Sequence, residues 1–250
     1  MIQFIYGLPG TGKTTLISKE IQADVAAGKP TILIVPEQQT VDTERNMLKL
    51  LPPSAQLIFE VLNFSRLANK LFRIYGGLSY NYITQGMKNL FMKRTLIENS
   101  SELSEYKLRA QEDSSLPSLM LAQINEFKIN SVSSHDLEKV AEKLEEGHPL
   151  KAKLSDIAEI YCKYEEKVSN AYDDSSNDLG KLFDILCKND FFKGYNVYID
   201  GFSSYTAYEH KIIEKIFAQA EKCVITVPAA DDICDGIHML SIKNTSDKLF

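Results

Sequence analysis

The rhythm of apolar and polar positions changes twice along the chain. Near the start, short apolar runs alternate with helix-spaced stretches: "IQFIY" (2–6), a helical pattern over 13–27 that ends at Gly28, then "TILIVP" (31–36) closed by Pro36. Strand, helix and strand within about 35 residues predict a βαβ unit of a parallel sheet. A third apolar run, "QLIFEVLNF" (56–64), leads into "SRLANKLFRIYGG". There Leu67, Leu71, Ile74 and Tyr75 recur at helical spacing, Ser65 is the expected N-cap, and Gly76-Gly77 end the pattern.

From about 80 to 187 the texture is one of amphipathic stretches with polar breaks: "TQGMKNLFMKRTLIEN", "LPSLMLAQINEFKIN", "SSHDLEKVAEKLEEG" and "HPLKAKLSDIAEIYCKYEEKVSN". Ser134 to Leu137 reads as a helix entry, with Asp136 and Glu138 in the first turn where the helix dipole favours anions. The polar "YDDSSND" (172–178) predicts a surface loop. Apolar runs then return as "YNVYIDGF" (195–202) and "CVITVP" (223–228), flanking a helix over "AYEHKIIEKIFAQA". They join the first sheet most economically. The expected architecture is an α/β core, residues 1–80 plus 190–250, with an all-helical insertion over 81–189.

Between the first strand and helix stands "GLPGTGKT" (7–14), which satisfies G-x-x-x-x-G-K-[ST] at every fixed position and in the strand-to-helix setting that the motif requires. Such a loop turns its backbone N–H groups inward beside the positive end of a helix, and glycine keeps Cβ atoms out of the way of a phosphate. Gly7, Leu8, Pro9, Gly10, Thr11, Gly12, Lys13, Thr14 and Thr15 are therefore the expected nucleotide-binding residues. Lys13 is expected to reach the β and γ phosphates of ATP, and the Thr14 hydroxyl to ligate Mg²⁺. The metal-side carboxylate is sought at the end of a neighbouring strand, where "NVYIDGF" places Asp200; a strand-terminal turn former is its other reading. Gly201 follows it, so the site lacks at that position a carboxylate to polarise an attacking water. Glu209 and Asp231 are the nearest acids along the chain, and both read as solvated charges.

Composition narrows these readings. The 250 residues are 44% hydrophobic, enough for a sizeable core. With 28 Lys+Arg against 34 Asp+Glu, the net charge of −6 excludes a global basic field, so any contact with DNA needs a local groove. Cys162, Cys187, Cys223 and Cys234 stand apart without a CxxC pair, which argues against a zinc or iron-sulfur site and for reduced thiols in the cytoplasm. No run approaches the roughly 20 apolar residues of a membrane span, and no signal peptide is expected.

Five segments, "IYGLPGTGKTTLI", "ILIVPEQQTVDTER", "VLNFSRLANKLFRIYGG", "INEFKINSVSSHDLEKVAEKL" and "VYIDGFSSYTAYEHKIIEKI", resemble in order the N-terminal region of the AddB (RexB) family. This family supplies a subunit of the bacterial ATP-dependent helicase-nuclease that processes broken DNA ends. The resemblance implies a P-loop, RecA-like domain of the superfamily 1 helicase type that has lost its water-activating glutamate. It also implies an AddA-type partner and contact with DNA ends and single-stranded DNA, where a short regulatory sequence is read. A nuclease domain and an iron-sulfur cluster are implied only toward the C-terminus of the longer family protein. "VLNFSRLA" resembles the helicase segment that meets single-stranded DNA, so Asn63, Phe64, Ser65 and Arg66 become candidates: Arg66 for a phosphate, Phe64 for base stacking or the core. Glu37, Gln38 and Gln39 remain open between a DNA role, a nucleotide role and a plain helix start, and "YGGLSYNYIT" is an open candidate for base stacking. A P-loop kinase or active ATPase of unrelated class, and a scaffold with an unused loop, are the competing functions.

Overall fold

The computed structural model describes residues 1–78 and 81–228. In chain order its elements are β1 (Ile2–Tyr6), α1 (Lys13–Ala26), β2 (Thr31–Ile34), α2 (Thr40–Leu50), β3 (Phe59–Leu62) and α3 (Phe64–Tyr75). Then follow α4 (Gln85–Asn99), α5 (Arg109–Glu112), α6 (Leu116–Ile129), α7 (Ser134–Glu142) and α8 (Pro149–Ser169). The last are α9 (Asp178–Lys188), β4 (Asn196–Ile199), α10 (Ala207–Gln219) and β5 (Lys222–Val227). They divide into two compact units, Met1–Gly77 with the chain from Leu179, and Leu78–Asp178.

All five strands pair in parallel, in the order β1-β5-β4-β2-β3. The late strands do join the first sheet, and they enter it between β1 and β2. Every residue of β2 and β4 is buried, which is why these strands read as unbroken apolar runs and not as alternating ones. On one face α1 contributes Ile17, Ile21 and Val25 to a cluster with Leu33, Val35, Val61, Tyr198 and Val224. Period-two alternation leaves Ile32, Ile34, Val197 and Ile199 to the opposite face. The last turn of α1 is also pinned polarly, because Asp24 Oδ2 accepts from Tyr198 Oη at 2.6 Å and from Asn196 Nδ2 at 2.8 Å. Burial alone would raise the Asp24 carboxyl, but these donors and the Lys222 ammonium outweigh it and hold it low. α9 belongs to the sheet's unit, not to the helical block where its texture places it: Gln219 at the end of α10 donates to the carbonyls of Leu186 and Asn189.

Two helix starts differ from expectation. Asn63, not Ser65, caps α3, its Oδ1 accepting from Arg66 N at 2.7 Å. The buried stripe accordingly runs through Phe64, Leu67, Ala68, Leu71 and Phe72, while Ile74 and Tyr75 lie on the exposed side. Ser133 caps α7 in a reciprocal box with Asp136, one residue before the expected entry.

In the helical unit, α4, α6 and α8 bury Met92, Leu96, Leu121, Ile124, Ile160 and Tyr164 together. Buried Asp156 accepts from the successive backbone N–H groups of Ser104, Glu105 and Tyr106 at 3.0, 2.8 and 3.0 Å. The polar stretch 172–178 is not a surface loop throughout. Asp174 is 3% exposed and sits between Lys88 of α4 and Lys128 of α6, with Lys128 Nζ 3.0 Å from Oδ2. A composition of Asp, Ser and Asn marks a turn equally well whether the turn faces water or faces buried cations. Burial pushes the Asp174 carboxyl up, but the Lys128 charge and the Lys88 hydrogen bond prevail and hold it well below the usual carboxylate range. Because its folded pKa is depressed, its stabilisation is complete above about pH 4 and is lost as pH falls through the folded value. Asp174→Asn leaves buried Lys88 without a carboxylate and Lys128 with Glu165 alone, 2.5 Å away, and we expect a loss of about 3 kcal/mol at neutral pH. Urea denaturation of both proteins between pH 7 and pH 2 should show that gap closing as the acid limit is approached.

Candidate nucleotide site

In a parallel sheet the residues that follow each strand emerge at one edge. Here the segments after β1, β2, β4 and β5 surround a cavity of about 550 Å³ there. Pro9, Gly10, Gly12, Lys13, Thr14 and Thr15 form one wall; Asp200, Gly201, Phe202 and Ser203 form another, with Gln39, Thr226 and Pro228 between them.

The glycine-rich loop is shaped from within. Gly7 N donates to Val227 O at 3.3 Å, anchoring the loop to β5, and Thr11 Oγ1 donates to Leu8 O at 2.8 Å. Gly12, at φ 89°, is the residue from which α1 starts, without a side-chain cap or an acidic residue in its first turn. The first N–H groups of a helix have no intrahelical acceptor, so this end offers donors and the positive end of the helix dipole to the cavity. The Lys13 ammonium donates to the carbonyls of Gly7 and Leu8, the latter at 2.9 Å.

Across the cavity, Asp200 is 7% exposed, and its Oδ1 accepts from Thr226 Oγ1 at 2.6 Å. Its other oxygen accepts no hydrogen bond among the described residues. Thr226 is the polar residue inside "CVITVP", a signal present in the sequence that pattern reading does not pick out. Gly201 is favoured at its place by its backbone, and the exposed Gln39 amide lies over it. Its φ is 84°, and a Cβ there would lie 2.6 Å from Gln39 Oε1 and 3.3 Å from Pro36 Cδ. The absence of a carboxylate at 201 is thus built into the backbone. Among the described residues no group of three or more His, Cys, Asp or Glu side chains could hold a metal ion by itself. A cation here would depend on Asp200, the Thr14 hydroxyl and oxygens brought by a ligand, a donor set that suits Mg²⁺.

The remaining candidates are dispersed. Asn63 is 7% exposed and occupied twice, capping α3 and donating to Thr40 Oγ1 at 3.4 Å. Phe64 is 4% exposed and meets Phe202 edge-on at 5.5 Å, so its ring is core and offers no face to a base. Phe202 stacks in turn on Tyr205 at 4.9 Å, whose hydroxyl is pushed up mainly by burial. Ser65 and Arg66 are exposed, and Arg66 Nη1 lies 3.3 Å from Glu44. Glu37 and Gln38 do not line the cavity, whereas Gln39 does. Glu209 caps α10 with Thr206. In the tyrosine-rich stretch, the Tyr82 hydroxyl is held by Asp178 and is pushed up to about 12 by burial and that carboxylate. Tyr80, Asp231 and Cys234 lie outside the described residues.

A family model described as ADDB, N-terminal, matches residues 4–241. The chain belongs to the AddB N-terminal family. Its relatives include proteins named as a subunit of an ATP-dependent helicase/deoxyribonuclease. The one from Caldanaerobacter subterraneus subsp. tengcongensis is 34% identical over 99% of this chain and 22% of the relative. Those of Clostridium kluyveri and Acetivibrio thermocellus are 33% and 32% identical, over 90% and 94% of this chain and 20% of each relative. The chain spans about a fifth of the length of these curated relatives. No described helix is long and apolar enough to cross a membrane.

The fit around Gly201 can be measured in this AddB-family chain. Gly201→Ala is expected to destabilise it by about 1–3 kcal/mol, because alanine is strained at that φ, while the Gln39 amide can swing aside. Gly86→Ala, in open space on α4, should lose nothing in the same urea titration.

Proposed function

We propose that the cavity binds ATP with Mg²⁺, and that the chain is the helicase-like, ATP-binding region of an AddB-type subunit. The observation that carries this reading is the convergence of Lys13, Thr14 and Asp200 on one cavity at the carboxyl edge of a parallel sheet. The loop from Gly7 to Gly12 and the start of α1 wrap the phosphates with backbone N–H groups. Lys13, which donates to two loop carbonyls, has the reach and charge to exchange them for phosphate oxygens. Thr14 and the uncommitted oxygen of Asp200 are the residues that would hold Mg²⁺, whose charge would neutralise the phosphates.

The unit with the sheet then acts as a RecA-like P-loop domain, and Leu78–Asp178 as a helical domain inserted into it. The subunit would work in the cytoplasm beside an AddA-type helicase-nuclease partner, on DNA ends and single-stranded DNA in double-strand break repair. Its own motor activity is weak, since Gly201 brings no base to the cavity. Within the expected DNA segment, exposed Ser65 and Arg66 are the groups placed to meet a phosphate, Arg66 by exchanging its surface pair with Glu44 for it; Asn63 and Phe64 hold the segment in shape.

ATP with Mg²⁺ at a hundredfold excess over Kd should stabilise the chain by about 2.7 kcal/mol. We expect Lys13→Ala to abolish the corresponding thermal shift; a wild-type chain with no shift at all would falsify the nucleotide reading. For the DNA segment, Arg66→Ala should weaken single-strand binding evenly across sequences and lower the salt slope by about one. An unchanged slope would remove Arg66 from the interface.

A further inference from the structure

Gln39 places a polar side chain on the cavity wall, apart from the groups that meet the phosphates and the metal ion. It closes the 3-10 turn Glu37–Gln39 that follows β2. This turn is framed from behind: Gln39 N donates to Pro36 O at 3.0 Å, Thr40 Oγ1 to the same carbonyl at 3.1 Å, and Asn63 Nδ2 to Thr40 Oγ1 at 3.4 Å. Thr40 and Asn63 are both buried, so the backbone carrying Gln39 is fixed.

The side chain itself lies over Gly201. Its Oε1 stands 2.6 Å from the point where a Cβ of residue 201 would be. The amide of the exposed Gln39 thus lies where the lack of a side chain at 201 leaves it room. The space beside Asp200 that a side chain at 201 would enter is filled by an amide reaching across from the turn that follows β2. Asp200 is already engaged by Thr226 and Lys13 by the loop carbonyls, whereas the Gln39 amide makes no hydrogen bond among the described residues.

We propose that Gln39 contacts the terminal phosphate of the bound nucleotide and makes the site discriminate a nucleoside triphosphate from a diphosphate. The inference rests on the nucleotide reading above and adds to it the group that senses the third phosphate. An amide presents two N–H donors and a carbonyl acceptor, so in either orientation it can turn donors toward phosphate oxygens. Being neutral, it does this beside Asp200 without the repulsion a second carboxylate would add. It has no basicity with which to take a proton from water, so the contact reports which nucleotide is bound without speeding turnover.

The test is equilibrium binding of ATP and of ADP, each with Mg²⁺, to the wild-type chain and to Gln39→Ala, Gln39→Glu and Lys13→Ala. We expect Gln39→Ala to lose about tenfold in ATP affinity, the size of one hydrogen bond to a charged group, with ADP affinity unchanged. The unchanged ADP affinity also shows that the variant is folded. Gln39→Glu should lose at least as much for ATP, and Lys13→Ala should weaken both nucleotides. If Gln39→Ala keeps the wild-type ratio of ATP to ADP affinity while Lys13→Ala weakens both, the role of Gln39 is overturned and the site stands. If the wild-type chain binds neither nucleotide, the nucleotide reading fails and this inference goes with it.

Discussion

When every strand of a sheet runs the same way, each delivers its next residue to the same edge, and the cavity of this protein depends on that. Lys13 and Asp200 are far apart in the chain, yet parallel pairing of β1 with β5 and of β5 with β4 puts the segments that follow those strands on one rim. An antiparallel β4 would carry Asp200 to the opposite edge. The apolar content of β2 and β4, buried on both faces, is the cost of that arrangement. α1 covers one face, and the Asp24 bonds to Tyr198 and Asn196 tie its last turn to β4, so the helix that leaves the loop is held against the sheet at its far end.

The rim is made of matched groups. Thr226 from β5 orients the Asp200 carboxylate, and Gly201 adopts a conformation that leaves room for Gln39. Asn63 links two of these parts: it caps α3 and supports Thr40 beneath the Gln39 turn. The residues beginning at Asn63 resemble a helicase DNA segment, and in this fold Asn63 and Phe64 serve as its internal frame. Phe64 touches Phe202, which also lines the cavity, so the start of α3 and the cavity wall share a packed aromatic contact.

The loop before α1 was legible because its signal is local: a strand, three glycines, a lysine and a threonine at fixed spacing. The return of the late strands to the sheet was legible from their apolar runs. Their insertion between β1 and β2 was not, since strand order is decided by long-range pairing that leaves no mark within a short run. Asp200 could be singled out as the acid ending a strand, whereas Thr226 and Gln39 could not, because each acquires meaning only from a neighbour across the sheet. The stretch around Asp174 misled for a related reason. Its partners Lys88 and Lys128 are distant in sequence, and only folding brings the three charges out of water together. The α3 cap was displaced by two residues because Asn63 and Ser65 are both good caps, and the burial of Phe64 decides between them.

The most direct measurement is an experimental structure of the chain with a non-hydrolysable ATP analogue and Mg²⁺. We predict phosphates enclosed by Gly7–Thr14 with the Lys13 ammonium turned onto them, and a metal ion between Thr14 and Asp200. A nucleotide bound elsewhere, or a cavity that stays without one at saturating analogue, would contradict the nucleotide-clamp reading of this fold.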